Sequence, residues 1–142
     1  MGLLHMTVAA CLAWGWWFHP PPYAAEIQWN ACRHHIDPRV LAAIVKVESR
    51  YDARALRRER KVRDWSVGLM QVRVGTARWL GFAGEEFQLM SPDTNLHYGA
   101  VYLERLIRRY GSGAISAYNA GKPCECNRRY VRLVLEARRA QR

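Results

Sequence analysis

A chain of 142 residues is about one domain's worth, and a composition that is 50% hydrophobic, 11% aromatic and 24% charged excludes intrinsic disorder and allows a core of useful size. Lys and Arg outnumber Asp and Glu by 22 to 12, for a net charge of +10, and nineteen of the cations are Arg, so the surface favours an anionic partner such as nucleic acid, lipid or cell-wall polymer. Four cysteines, of which only Cys124 and Cys126 are close together, do not make a four-ligand zinc site of paired spacing, and no metal is expected.

The stretch 1–25 contains no Lys, Arg, Asp or Glu and is rich in apolar residues, Trp14, Trp16, Trp17 and Phe18 among them, before Pro20-Pro21-Pro22 and Tyr23-Ala24-Ala25. It reads as a signal peptide or N-terminal anchor. Leu3 to Phe18 falls short of the roughly twenty residues of a spanning helix. The expectation is a periplasmic or secreted protein whose folded domain covers 26–142, with membrane contact only if the leader stays uncleaved.

Beyond residue 25 no period-two alternation runs long enough for a convincing sheet, and the pattern predicts an all-α domain. A first helix is expected over Glu26 to His35. Asp37-Pro38 supplies an N-cap and a first-turn proline for a second, striped by Val40, Leu41, Ile44, Val45 and Val47. Arg54 to Asp64 is a charged excursion read as a solvated loop or frayed helix. Thr76 to Leu80 is a short helix stopped by Gly81. Ser91-Pro92-Asp93 opens a long one, with Leu96, Gly99, Ala100, Leu103, Leu106, Ile107 and Tyr110 on one face and Gly111 at its end. Ala114 to Ala120 is another short helix closed by Gly121, and Tyr130, Val131, Leu133, Val134 and Ala137 stripe the last.

Glu48 carries the first chemical suggestion. Four positions after Ile44 and seven after Leu41, it places a carboxylate on the apolar face of its helix, in the last turn. Partial burial and the negative end of the helix dipole both disfavour ionisation, so the carboxyl is suited to act as a general acid. A lone Glu of this kind is more often solvated and idle.

Three further segments change that balance. Glu48-Ser49 is followed by Gly68-Leu69-Met70-Gln71, then by Asn95-Leu96 with Gly99 and Tyr102-Leu103, and then by Ala117-Tyr118-Asn119-Ala120-Gly121. In this order the set closely resembles the lytic transglycosylase domain of the soluble-transglycosylase (SLT) type, a relative of goose-type lysozyme, from about Ile27 to Leu135. The resemblance implies a lysozyme-like single domain. It implies that Glu48 is the catalytic acid and Ser49 its support, that Met70 and Gln71 line the sugar cleft, that Tyr118 hydrogen-bonds the catalytic carboxyl, and that Asn119 stands beside it. Gly68 and Gly121 fit close backbone approaches. Where relatives often start a helix with Met-Pro after the Gln segment, this chain has Val72-Arg73-Val74-Gly75-Thr76.

The implied reaction cuts peptidoglycan glycan strands between N-acetylmuramic acid and N-acetylglucosamine, with a 1,6-anhydro product and no cofactor. The nearest rival is a goose-type-lysozyme-like hydrolase in which Asp52 or Asp64 positions water as a second carboxylate. A remote rival is a basic nucleic-acid binder using Arg57-Arg58, Arg128-Arg129 and Arg138-Arg139, which export and the lack of a recognition motif oppose. By analogy with stand-alone relatives, a secretion, conjugation or phage assembly is the expected partner. In an oxidising compartment, Cys32 is expected to pair with Cys124 or Cys126, since those two are too close in sequence to pair comfortably with each other.

Overall fold

The computed structural model describes residues 19–141, so the expected leader lies largely outside the described residues. Helix α1 covers Ala24–Arg33 and α2 covers Pro38–Ser49. The expected division after residue 25 therefore falls in the first turn of α1. No glycine ends α1. Instead His35 adopts a left-handed φ of 54°, and the Ile36 N–H closes back on the Ala31 carbonyl at 2.9 Å, a helix stop that no residue type announces.

Helix α2 is the hub of the core. The Asp37 carboxylate accepts from the Arg39 N–H at 2.9 Å, Pro38 fills the first turn, and every residue from Val40 to Val45 is buried. Such all-round burial needs cover on several sides, which α1 and the C-terminal helix α6, Arg128–Arg139, provide. Asp37 also joins the far ends of the chain: Arg138 in the last turn of α6 donates to it at 2.8 Å. Arg138 is thus turned inward, which removes one member of the basic cluster expected of a nucleic-acid binder.

The long helix α4, Pro92–Tyr110, buries Leu96, Gly99, Ala100, Leu103, Leu106 and Ile107 against α1 and the short α5, Ala114–Ala120. Helix α3, Val74–Trp79, precedes it. Among the described residues no helix is long and apolar enough to cross a membrane.

The charged excursion is neither a loop nor a frayed helix. It supplies β1 (Leu56–Glu59) and the start of β2 (Asp64–Val67) in an antiparallel sheet completed by β3 (Val72–Arg73), in register Leu56 to Val67, Glu59 to Asp64 and Val67 to Val72. The domain is mainly helical, in line with the expected fold class; what is corrected is the solvated loop or frayed helix expected over Arg54 to Asp64, which contributes to this small sheet. Leu56, Arg57 and Arg58 are all exposed, so no apolar alternation marked the strands. What aligns them is closure of the hairpin through Arg63, at a left-handed φ of 52°, and the anchoring of the segment after Val67.

The disulfide expectation is also corrected. Cys124 bonds to Cys126. The 3-10 turn Glu125–Asn127 brings their Cα atoms to 5.2 Å, inside the usual range for a disulfide, which an extended chain would exceed at this spacing. Cys32 is disulfide-bonded as well, but to neither of these: it is buried in α1, which packs on α2 and α4.

Candidate active site

The last turn of α2 delivers Glu48 to the surface of the core. The helix stops immediately after, with Arg50 and Tyr51 both at positive φ (54° and 65°), so the chain swings away and leaves the carboxyl at the base of a cleft. Because α6 lies against α2, the Tyr130 hydroxyl reaches across and donates to Glu48 Oε1 at 2.8 Å. Burial raises the Glu48 pKa above its ordinary value; the Tyr130 hydrogen bond and the Arg57 charge pull it down, and Glu59 adds to the rise. Desolvation outweighs the rest, which favours the protonated acid.

The Gly68 to Gln71 segment forms the next wall, held from behind by one buried side chain. Asn95 on α4 accepts from the Met70 N–H at 2.8 Å and donates to the carbonyls of Val67 at 2.7 Å and Leu89 at 2.8 Å. Gly68, at a φ of 74°, passes so close that a Cβ would stand 2.4 Å from Asn95 Nδ2. Gly99 plays the same part for Met70, whose sulfur would lie 2.3 Å from an added Cβ. Met70 is therefore fully buried, and its expected place in the lining of the sugar cleft is corrected: the notch at Gly99 draws its side chain into the core. Gln71 does line the cleft. At a left-handed φ of 47°, it spends its amide N–H groups on the carbonyls of Ala55 and Gly68, each at 3.1 Å, which ties the residue just before β1 to the wall.

Tyr118 and Asn119 reach the cleft from α5. The Tyr118 hydroxyl donates to the Met70 carbonyl at 2.9 Å, whereas the hydrogen bond to the acid expected of it comes from Tyr130. Burial raises the Tyr118 pKa far above its ordinary value, and the nearby Glu48 adds to this. Asn119 accepts from Asn127 at 3.1 Å on the exposed rim. Ser49 back-bonds to the Val45 carbonyl at 3.1 Å and is absent from the cleft lining, so any support it gives Glu48 runs through the helix backbone.

The cleft encloses about 690 Å³. Opposite the tyrosines stands the hairpin, with Arg57, Arg58, Arg60 and Lys61 along the cleft and Arg73 beside them. Glu59 faces the same space, accepting from Ser66 at 2.7 Å and Arg57 at 2.9 Å. These partners, Ser66 first, lower its pKa. The carboxylates that the rival hydrolase reading would use to position water are occupied elsewhere. Asp52 accepts from the Arg54 N–H at 2.8 Å, and Asp64 is held by Arg73 at 3.3 Å and the Gly75 N–H at 3.0 Å. Neither lines the cleft. Among the described residues no group of three or more His, Cys, Asp or Glu is placed to hold a metal ion.

Residues 26–133 match the transglycosylase SLT domain. The chain belongs to that family. Its fold is similar to that of an inactive glutamate-to-glutamine mutant of lytic transglycosylase Slt from Pseudomonas aeruginosa, with a TM-score of 0.71 at 23% identity over 94% of this chain and 27% of that one. The chain thus spans much less than two thirds of the length of that protein. The lysozyme-like fold expected from the motifs is present.

In this SLT domain the structure brings Glu48, Gln71, Tyr118 and Asn119 into one cleft; Tyr102, part of the quoted motif but given no role there, lines it too, and Glu59 and Tyr130, which the sequence reading did not place at the site, lie about it. Tyr130 read as part of an apolar stripe. Its signal was the hydroxyl, because a buried tyrosine needs a partner. Glu59 had none, since only the hairpin register decides which way it faces. The arrangement offers a carboxyl that burial biases toward its protonated form, in a groove with phenols on one side and cations on the other.

Proposed function

We propose that this SLT domain cleaves the bond between N-acetylmuramic acid and N-acetylglucosamine in peptidoglycan strands and leaves a 1,6-anhydromuramoyl end. Glu48 donates its proton to the glycosidic oxygen as the bond to the anomeric carbon breaks, and the substrate's own N-acetyl group stabilises the positive charge that develops. The Glu48 carboxylate then accepts the proton of the muramoyl C6 hydroxyl while that oxygen bonds the anomeric carbon. Acid and base are one residue, returned to its starting state without water. The observation that carries this reading is Glu48 itself, a desolvated carboxyl with a raised pKa at the base of the cleft, oriented by Tyr130. Family membership supports it, as does the family motif around Gln71, Tyr118 and Asn119. Action outside the cytoplasmic membrane, where the wall lies, and local remodelling in the service of a secretion, conjugation or phage assembly belong to the same proposal.

A second reading, hydrolysis, is favoured by one observation. Glu59 is an ordered carboxylate on the cleft wall, close enough to raise the pKa of Glu48, and it replaces Asp52 and Asp64 as the group that could direct water at the anomeric carbon. Mass spectrometry of the fragments released from purified sacculi separates the two. Anhydromuropeptides without new reducing ends are expected, because a tethered hydroxyl outcompetes water. Reducing ends that disappear in Glu59→Gln would establish hydrolysis instead.

A further inference from the structure

Helix α6 begins without a side-chain cap. Asn127 stands at its N-cap position, yet its amide is spent on α5: it donates to the Ser116 carbonyl at 2.9 Å and to Asn119 Oδ1 at 3.1 Å, and accepts from Ser116 Oγ at 2.7 Å. The N–H groups of the first turn therefore have no capping side chain, and Tyr130, which orients Glu48, sits in that turn. The entry to α6 is fixed instead by the Glu125–Asn127 turn. The Cys124–Cys126 disulfide closes this turn, and the Cys124 N–H ties it to α5 by donating to Ser116 Oγ at 2.9 Å.

Three features make this disulfide easy to open. A bond that closes so few residues gains little from loop closure, so its oxidised form is less favoured than that of a bond closing a long loop. Cys126 is exposed and Cys124 half-buried, and a groove of about 660 Å³, lined by Pro123, Cys124, Glu125 and Arg128 among others, gives a path to the bond. The Cys126 N–H donates to Cys124 Sγ at 3.0 Å and stabilises negative charge there, which makes Cys124 the better leaving group when its neighbour is attacked. Little repels an incoming thiolate, since Glu125 is paired with Arg128 and the other charges close by in sequence are Lys122 and Arg129.

We propose that Cys124–Cys126 is a thiol-exchange site through which a dithiol reductant loosens the hold of Tyr130 on Glu48. One thiolate of the reductant attacks Cys126 Sγ, the S–S bond breaks, and its electron pair leaves on Cys124 Sγ. The second thiolate then attacks the reductant's own sulfur in the mixed disulfide and releases Cys126. One dithiol becomes a disulfide, and its two protons end on the two cysteines. Without the bond the turn opens, the uncapped first turn of α6 frays, and Tyr130 leaves the acid. Val134 and Ala137 farther along α6 are buried, so the rest of the helix stays in place. The effect on lysis rests on the proposed function; the exchange does not.

The test reads the exchange and the acid without depending on catalysis. The full chain is reduced with dithiothreitol under native conditions, its thiols are mapped by alkylation and mass spectrometry, and the Glu48 carboxyl is titrated by carbon-13 NMR. Both cysteines should open, and a monothiol such as glutathione should be trapped on Cys126. The Glu48 midpoint should rise as far as Tyr130→Phe raises it and return on reoxidation. Cys124→Ser with Cys126→Ser should show the raised midpoint from the start and no response to the reductant, which sets aside any contribution from Cys32. A bond that opens only when the protein unfolds, a midpoint unmoved by its opening, or a double variant that still responds would each overturn the proposal. Lysis of sacculi is scored separately and should fall about tenfold on reduction, the scale of the lost hydrogen bond. No lysis in either redox state, with the midpoint shift intact, would leave the exchange site standing and sink the glycosidic reading.

Discussion

The two walls of the cleft are built on opposite principles. On one side Tyr118 and Tyr130 come from helices packed on the core, their hydroxyls bonded to the Met70 carbonyl and to Glu48. On the other a two-stranded hairpin projects Arg57, Arg58, Arg60 and Lys61 into solvent. The first wall is neutral and dry, so it sets the protonation of the acid. The second is charged and wet. Its ions are screened over about 8–10 Å at ordinary salt, which suits it to attracting a polyanion more than to chemistry. One carboxyl thus experiences burial from one side and attenuated charge from the other, and burial dominates.

The largest effect expected from breaking the dry wall is that of Glu48→Gln. Turnover of sacculi should fall roughly a thousandfold, within the range for loss of a general acid and base, while the protein becomes no less stable. The folded pKa of Glu48 lies above its unfolded value, so the folded state keeps this proton longer. Stability is greatest below the unfolded value, declines as pH rises through the window up to the folded value, and stays reduced above it. Glutamine removes that penalty and still accepts from Tyr130. Calorimetry at neutral pH should therefore find Glu48→Gln melting at or above the parent; a clearly lower melting temperature would mean that the carboxylate is well accommodated.

Next comes the support behind the wall. Asn95→Leu leaves the Met70 N–H and the Val67 and Leu89 carbonyls without their partner inside the protein, at about 1–3 kcal/mol for each buried group left unsatisfied. Chemical denaturation should show a loss on the order of 3 kcal/mol or more. Tyr130→Phe is gentler. It removes a bond that stabilises the carboxylate form, so the Glu48 pKa rises further and the alkaline fall in activity moves to higher pH, with a maximal rate lower by about tenfold, the worth of a hydrogen bond to a charged group. A pH–rate profile that keeps its alkaline limb in place would detach Tyr130 from the acid. The smallest effect belongs to the wet wall: Arg60→Gln with Lys61→Gln should weaken strand binding by about two- to fivefold at low salt and negligibly at high salt. A loss that persists at high salt would mean that these residues make specific contacts.

The helices behind the dry wall were legible in the sequence, whereas the part Tyr130 plays in that wall, and the whole of the wet wall, were not. Helices announce themselves through Asp37-Pro38, Ser91-Pro92 and Gly111, and the place of Glu48 follows from its spacing to Leu41 and Ile44. The segments around Gly68 and Tyr118 were visible because they must fit one another: Asn95 and Gly99 leave room for one backbone path. The hairpin has no such constraint. Its strands are short and its side chains polar, so neither period nor propensity marks it, and Glu59 faces the cleft through register alone. Met70 and Tyr118 show a related gap. Motif position told that they belong to the site, but only packing told that one supplies a carbonyl and the other grips it. Cys124 and Cys126 show how a turn overrides sequence distance.

The most direct measurement of the central claim is the titration of the Glu48 carboxyl by carbon-13 NMR in the unliganded protein, assigned by its absence in Glu48→Gln. The dry wall requires a midpoint above the ordinary glutamate value of 4.5, moving further upward in Tyr130→Phe. A midpoint at or below that value, unchanged by Tyr130→Phe, would contradict the account, because Glu48 would then enter the reaction already ionised and unable to give the proton that starts it.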